Sequence, residues 1–208
     1  EFKAVDEVSF IIRKGETVGL VGGSGCGKST ISKAILGLVP ITSGSIVFQG
    51  EELAGFTKSM WKAYRKKVQM VFQDPNASLN PRINIGDMLR EILTVHKITT
   101  DKNSTQQYMQ DLMDKVQLPS TALAKYPHEF SGGQKQRICI ARALAVQPEL
   151  IICDESVAAL DTVIQSQILE LLQELQVQEQ LTYLFITHDL KVVQQICNEV
   201  MVMEKGVI

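Results

Sequence analysis

Short apolar runs alternate along the chain with stretches of helical periodicity. The runs end in polar residues, which is typical of strands buried in a parallel sheet, and they cover 17–21, 68–72, 150–155, 182–187 and 200–203. Apolar residues at helical spacing predict helices at 30–36, 85–95, 106–116, 136–145 and 164–175. This alternation predicts an α/β fold with a parallel sheet.

A long middle segment interrupts the alternation. Residues 75–146 contain no strand-like run, although helical spacing continues through them. We therefore predict one domain with an α/β core at 1–74 and 147–208 and a helical insertion at 75–146. None of the apolar runs is long enough to cross a bilayer.

The first part of the chain predicts smaller elements. We expect strands at 8–12 and 45–48, a turn at 49–52 and a helix in the basic stretch 59–66. That basic stretch is either a solvated face or a functional one, and the sequence leaves both open. Because the chain starts and stops inside predicted elements, we expect both termini to be truncated.

Composition narrows the classes of function. The 208 residues are 45% hydrophobic and 21% charged, as in an ordinary soluble domain, and the net charge of -2 gives no electrostatic case for nucleic acid. The four cysteines are widely separated, so we expect reduced, mostly buried thiols and no disulfide or zinc framework; they are Cys26, Cys139, Cys153 and Cys197.

A glycine-rich motif follows the first predicted strand and precedes a helix. It fits G-x-x-x-x-G-K-[ST] and consists of Gly22, Gly23, Ser24, Gly25, Cys26, Gly27, Lys28, Ser29 and Thr30. Glycines let the backbone curl so that several N–H groups point at one anion, and the helix start adds its own N–H groups. The motif predicts a phosphate-binding loop in which Lys28 reaches the phosphates and Ser29 binds Mg²⁺.

Polar residues also follow two other buried strands. Asp154 and Glu155 end the run at 150–155, and His188 follows the run at 182–187. Ligands of parallel sheets lie beyond the carboxyl ends of the strands, so these groups are expected to face the phosphate loop. One carboxylate there can hold Mg²⁺ and the other can deprotonate a water.

A second glycine pair opens the helix predicted at 136–145. Ser131, Gly132, Gly133 and Gln134 offer a cap and free N–H groups, which favours an anion site, although spacing alone favours an ordinary helix cap.

In this order, the motifs resemble those of the ATP-binding-cassette ATPases over nearly the whole chain. The matching residues are the phosphate loop, Gln73 of the Q-loop, the signature Ser131 to Gln134, Asp154 with Glu155, the D-loop Ala159 to Asp161, and the switch histidine His188. The resemblance implies a phosphate-loop core with an antiparallel β subdomain and a helical subdomain between the Q-loop and the signature.

Three positions depart from the family pattern. Phe130 stands at the usual leucine of the signature, and Ser156 stands where proline commonly follows the glutamate. The aromatic residue that stacks on adenine remains unassigned, with Phe2 as the nearest candidate.

The resemblance implies ATP hydrolysis with Mg²⁺. Lys28 would neutralise charge, Ser29, Gln73 and Asp154 would hold the metal, and Glu155 would be the general base. His188 would contact the γ-phosphate. The signature and Asp161 would serve a nucleotide shared with a second cassette, which is either the same chain or a paralogue.

A finer resemblance is to importers of oligopeptides, dipeptides or nickel complexes. It rests on Phe72 to Pro75, on Ser78 to Arg82 and on the sequence around His188. It implies a peripheral subunit at the cytoplasmic face of the membrane, coupled to permease subunits through 73–82 and working with an extracytoplasmic solute-binding protein.

Other functions remain open. The chain could be a soluble ATPase of the same superfamily, an exporter cassette, a nucleotide-binding switch or kinase, or an inactive cassette fragment. A switch or kinase leaves the signature and His188 unexplained, and binding to membrane subunits would separate the importer from the soluble ATPases.

Overall fold

The computed structural model describes residues 3–208, which form seven strands and eight α-helices. The strands are β1 (Thr17–Gly22), β2 (Val47–Phe48), β3 (Glu51–Glu52), β4 (Val68–Val71), β5 (Leu150–Asp154), β6 (Thr182–Thr187) and β7 (Glu199–Met203). The helices are α1 (Lys28–Ile35), α2 (Lys58–Lys67), α3 (Pro75–Ser78), α4 (Ile85–Val95), α5 (Lys102–Lys115), α6 (Gly132–Leu144), α7 (Thr162–Glu179) and α8 (Leu190–Ile196). The predicted α/β class is confirmed.

Five parallel strands form the central sheet in the order β4-β5-β6-β1-β7. In the register, Val21 lies opposite Thr187 and Asp154 lies opposite Ile186, so the strands end along one common edge. A separate hairpin of β2 and β3 is antiparallel.

Two hydrophobic cores cover the two faces of this sheet. Because successive strand residues point to opposite faces, Tyr183 and Phe185 enter one core while Leu184 and Ile186 enter the other. The larger core is completed by helices α4 to α8, and the smaller one by α1 and α2.

Four helices lie between β4 and β5, and no strand occurs at 75–146. The predicted helical insertion is therefore present, and it shares the larger core with the sheet. Its description as a separate subdomain with bounds at 75 and 146 stays a prediction. Among residues 3–208, no helix combines the length and the apolar character that a membrane span requires.

Three local predictions were wrong or incomplete. Residues 8–12 do not form a strand: Val8, Phe10 and Ile12 do pack against the smaller core as their alternation indicated, but no described strand pairs with them. No helix was predicted directly after Asp74, yet residues 75–78 form α3, because proline suits a first helical turn and the Asp74 carboxylate accepts the Asn76 N–H at 2.8 Å. Helix α8 was not predicted, since seven residues are too few for a periodic signal.

Candidate functional site

The carboxyl edge of the sheet brings the predicted polar residues together. The phosphate loop follows β1, Gln73 follows β4, Glu155 follows β5 and His188 follows β6. These four strands are neighbours in the sheet, so residues far apart in the chain meet along one edge.

The phosphate loop is ordered around its lysine. Lys28 is only 5% exposed, and its ammonium donates to the carbonyl oxygens of Gly22 and Gly23, both at 2.8 Å, and to the Cys26 thiol at 3.7 Å. Gly27, just before α1, has a φ of 114°, and a Cβ there would lie 2.3 Å from the Ala4 carbonyl oxygen. No side chain caps α1, so its first N–H groups remain available to an anion.

Asp154 places a partly buried carboxylate beside this loop. Burial raises the pKa of its carboxyl group, and the nearby Ser29 hydroxyl and Lys28 ammonium oppose that rise. A carboxylate and a hydroxyl are hard oxygen donors of the kind that Mg²⁺ prefers, and Mg²⁺ commonly keeps few protein ligands beside phosphates and waters. The residues present therefore fit a magnesium ion that is shared with a nucleotide.

Glu155 lies between the Q-loop and the histidine. Its carboxylate accepts a hydrogen bond from the Gln73 amide at 2.9 Å and lies 3.4 Å from Nδ1 of His188. Its own N–H donates to the Ile186 carbonyl oxygen at 2.9 Å, and its φ of 47° is left-handed, a conformation that non-glycine residues seldom adopt. Seven other non-glycine residues within 3–208 share this conformation, so it fixes the backbone at Glu155 but does not by itself mark a functional site. In this structure Gln73 contacts the carboxylate that was predicted as the base.

The signature residues form the start of α6. The Ser131 hydroxyl accepts the Gln134 N–H at 3.4 Å, and the Gln134 side chain accepts the Ser131 N–H at 3.0 Å, which is a reciprocal capping box. The side chain of Gln134 is therefore used within its own helix. Among the described residues, no hydrogen bond or ion pair joins this segment to the phosphate loop or to Glu155.

Three further positions from the sequence analysis are Asp161, Phe2 and Phe130. The Asp161 carboxylate accepts the Ile164 N–H at 3.0 Å and caps α7. Phe2, the candidate for adenine stacking, lies outside the described residues. Phe130 packs against the larger core, as the usual leucine could.

Contacts between α6 and the segment after Gln73 were missed by sequence reasoning. Lys135 Nζ donates to Asn76 Oδ1 at 2.8 Å, and Arg142 donates to the Ser78 carbonyl oxygen. The sequence signal for these contacts is a pair of cations, Lys135 and Arg142, seven residues apart on one helix. Such a pair is equally typical of a solvated helix face.

The fold and this edge of the sheet define a phosphate-loop nucleotide-binding cassette. The family model described as "ABC transporter" matches residues 5–158. The oligopeptide transport ATP-binding protein OppF of Bacillus subtilis is 51% identical over 206 residues, which cover 98% of this chain and 67% of that protein. OppF of Escherichia coli is 50% identical over 204 residues, with 98% and 61% coverage. The chain belongs to the ABC transporter family.

Solved structures agree with this assignment. CbiO1 of Clostridium perfringens, part of the ABC transporter complex cbiONQ, superposes with a TM-score of 0.88 at 27% identity over 98% of this chain and 79% of that chain. The dimeric ATP-binding cassette MJ0796 in a post-hydrolysis state with ADP and Pi superposes with a TM-score of 0.87 at 27% identity over 100% of this chain and 89% of that chain. The chain spans about two thirds of the length of the curated relatives named above.

Proposed function

We propose that this chain is the ATP-hydrolysing subunit of a bacterial peptide importer. The observation that carries the proposal is the Glu155 carboxylate, which is held by Gln73 and faces His188 at the same sheet edge as the phosphate loop. The import of peptides is suggested by the OppF relatives. The nickel branch stays a prediction from the sequence.

The phosphate loop would bind the phosphates of ATP. Lys28 would exchange its carbonyl partners for phosphate oxygens, and the N–H groups at the start of α1 would donate to the same anion. Ser29 and Asp154 would hold Mg²⁺, with Gln73 near enough to Glu155 to help orient a water. When bound, Mg²⁺ would neutralise charge that develops on the phosphates.

Glu155 is the proposed general base. Its carboxylate can accept the proton of an attacking water, while the Gln73 amide and the fixed backbone at Glu155 keep it in place. Positioned general bases contribute roughly 10²–10⁴-fold in rate. His188 would donate a hydrogen bond to the γ-phosphate, and losing one such donor costs about 10²–10³-fold.

A second cassette would complete the site. The free N–H groups of Gly132 and Gly133 at the start of α6 suit an anion, and within residues 3–208 they make no hydrogen bond to the phosphate loop. We propose that they bind a nucleotide held by the phosphate loop of another cassette, with Asp161 at the same interface. The MJ0796 cassette, which is dimeric, is a structural precedent for the pairing of two cassettes.

Coupling to transport would pass through residues 73–82. Gln73 touches the proposed base, and the residues just after it are tied to α6 by Lys135 and Arg142. A permease subunit seated on this segment at the cytoplasmic face would respond to changes at both nucleotide contacts. An extracytoplasmic solute-binding protein would deliver the peptide. The permease and the solute-binding protein are proposed partners. The second cassette is proposed as either the same chain or a paralogue.

The decisive experiment uses Glu155→Gln. The variant should bind ATP normally, lose about 10²–10⁴-fold in turnover, and shift to a dimer with ATP and Mg²⁺ in size-exclusion chromatography. Glu199→Gln, an exposed carboxylate at the opposite end of the sheet, is the control and should behave like the parent. Normal turnover in Glu155→Gln would contradict the role of the base. Failure to bind membranes that contain the cognate permease would favour a soluble ATPase.

A further inference from the structure

Helix α2 concentrates positive charge in a chain that is otherwise acidic. It holds five of the chain's 21 Lys and Arg residues and none of its 23 Asp and Glu residues, so the rest of the chain has a net charge of -7. One of the five, Lys67, pairs with Glu149. Among residues 3–208, the other four and the lysine just after α4 form no ion pair. These five side chains make up the basic face: Lys58, Lys62, Arg65, Lys66 and Lys97.

The basic face is continuous across two helices. Its four α2 members follow one another at intervals of three or four residues, so they share one side of the helix, whereas Tyr64 on the other side is buried in the smaller core. Lys66 Nζ donates to the His96 carbonyl oxygen at 2.7 Å, which brings the next residue, Lys97, close to α2. Burial and the charges of Lys66 and Lys62 lower the pKa of His96, and no carboxylate opposes them.

The α2 part of the basic face lacks the apolar anchor on which interfaces with folded proteins are usually centred. The large exposed apolar side chain of α2 is Met60, which lies two residues from both Lys58 and Lys62 and hence on another side of the helix. Trp61 is half-buried, and the Arg65 guanidinium lies over its ring, 5.6 Å from the centroid. Exposed charge without an anchor suits a surface of many mobile anions.

We propose that the basic face lies against the anionic lipid headgroups of the membrane when the cassette is seated on its permease. The inference rests on the proposed function, because it needs a cassette held at the cytoplasmic face of a membrane. Helix α2 leads through β4 to Gln73, and α4 begins at Ile85, so the basic face belongs to the two helices that flank the proposed coupling segment 73–82. The cytoplasmic leaflet is anionic and would repel the rest of the chain, so the basic face would decide which side of the cassette approaches it.

The size of the attraction follows from the number of charges. Each Lys or Arg near an anionic membrane favours binding by about 5-fold. Five such residues should favour contact by about 10³-fold. An attraction of this size orients a cassette that a permease already holds, but it does not anchor the free chain firmly.

The test measures binding of the chain to vesicles that contain phosphatidylglycerol and phosphatidylcholine in equal amounts. Trp61 is the chain's single tryptophan and precedes Lys62, so energy transfer from Trp61 to dansyl-labelled headgroups reports contact at this face. We expect transfer at low salt with the mixed vesicles, none with phosphatidylcholine alone, and a decline as salt rises.

Two triple variants separate the basic face from net charge. The first replaces three exposed α2 cations and should raise the dissociation constant in vesicle co-sedimentation about 100-fold; it is Lys58→Gln, Lys62→Gln and Arg65→Gln. The second removes the same charge from exposed positions elsewhere and should bind like the parent; it is Lys14→Gln, Lys102→Gln and Lys205→Gln.

Three results overturn the inference. The first is no binding of the parent to the mixed vesicles at low salt, and the second is an equal loss in both triple variants. The third is an α2 variant that binds vesicles like the parent but no longer assembles with the permease in detergent, because the face would then dock on protein. If the parent hydrolyses ATP and Glu155→Gln dimerises with ATP, such results contradict only this inference. Normal turnover in Glu155→Gln contradicts the proposed function, whatever the vesicles show.

Discussion

The contact between α6 and α7 leads to a quantitative prediction at Gly133. An alanine Cβ at this position would lie 2.4 Å from Ile164 Cγ2, whereas Gly132→Ala would meet only Leu160 Cδ2 at 3.6 Å, an ordinary van der Waals distance. Both glycines open the same helix, so the two substitutions change helix propensity alike and differ mainly in this clash.

The magnitude follows from the distance. To restore a normal contact, the Ile164 side chain or the two helices must move apart by about 1 Å, and overpacking of this kind costs about 1–3 kcal/mol. For a chain of this size each kcal/mol lowers Tm by about 2–4 °C. Gly133→Ala should therefore lower Tm by about 2–12 °C, while Gly132→Ala should leave it nearly unchanged.

Thermal and urea unfolding without nucleotide measure the effect, and a double-mutant cycle identifies its cause. Ile164→Ala removes the obstructing methyl group, so Gly133→Ala should cost almost nothing in that background. If Gly133→Ala is as stable as the parent, or if its cost is the same with and without Ile164, the argument from close packing is refuted.

Three further predictions concern buried groups. Ser156→Ala should change the free energy of unfolding by no more than about 1 kcal/mol, because the buried Ser156 hydroxyl interacts with the Cys153 thiol, a weak hydrogen-bond partner, and makes no stronger bond within residues 3–208; a larger loss of stability in urea unfolding would contradict this. Burial raises the pKa of Asp154, so the folded chain binds this proton at higher pH than the unfolded chain. Its contribution to stability should rise as the pH falls through that pKa, while stabilisation by Mg²⁺ and ATP declines; identical pH slopes in Asp154→Asn would contradict the assignment. Burial raises the thiol pKa of Cys139 and Cys197 to about 11 and that of Cys153 to about 12. Iodoacetamide at about pH 8 should modify Cys139 and Cys153 only after unfolding, as mass spectrometry can show, and rapid labelling of either thiol in the native chain would be inconsistent with its burial.

The parts of the fold that could be predicted are those with a local signal. Gly22, Asp154 and His188 each end or follow a continuous apolar run, so their place at the carboxyl edge of a sheet could be inferred before the strand order was known. The order itself depends on contacts between distant segments, since β1 lies between β6 and β7. Residues 8–12 show where a local signal is not enough. Their alternation of apolar and polar residues correctly indicated which side chains are buried, but it could not indicate whether a partner strand was present.

The site was predicted as a set of residues and not as a geometry. The contact of Gln73 with Glu155 spans 82 positions, and no local pattern reports it. The left-handed backbone of Glu155 is equally invisible, because glutamate rarely adopts it and turn statistics would not suggest it.

If the loop binds phosphates as proposed, the hydrogen bonds of Lys28 to its own carbonyl groups should make it prefer ligands that carry several phosphates. An incoming anion meets an ammonium that already has two carbonyl partners, so it must compete with them before it benefits from the charge. Orthophosphate or sulfate offers few oxygens to offset those lost bonds, whereas a triphosphate can occupy the lysine, the helix start and a metal at once. The loop should therefore bind polyphosphates more tightly than orthophosphate or sulfate.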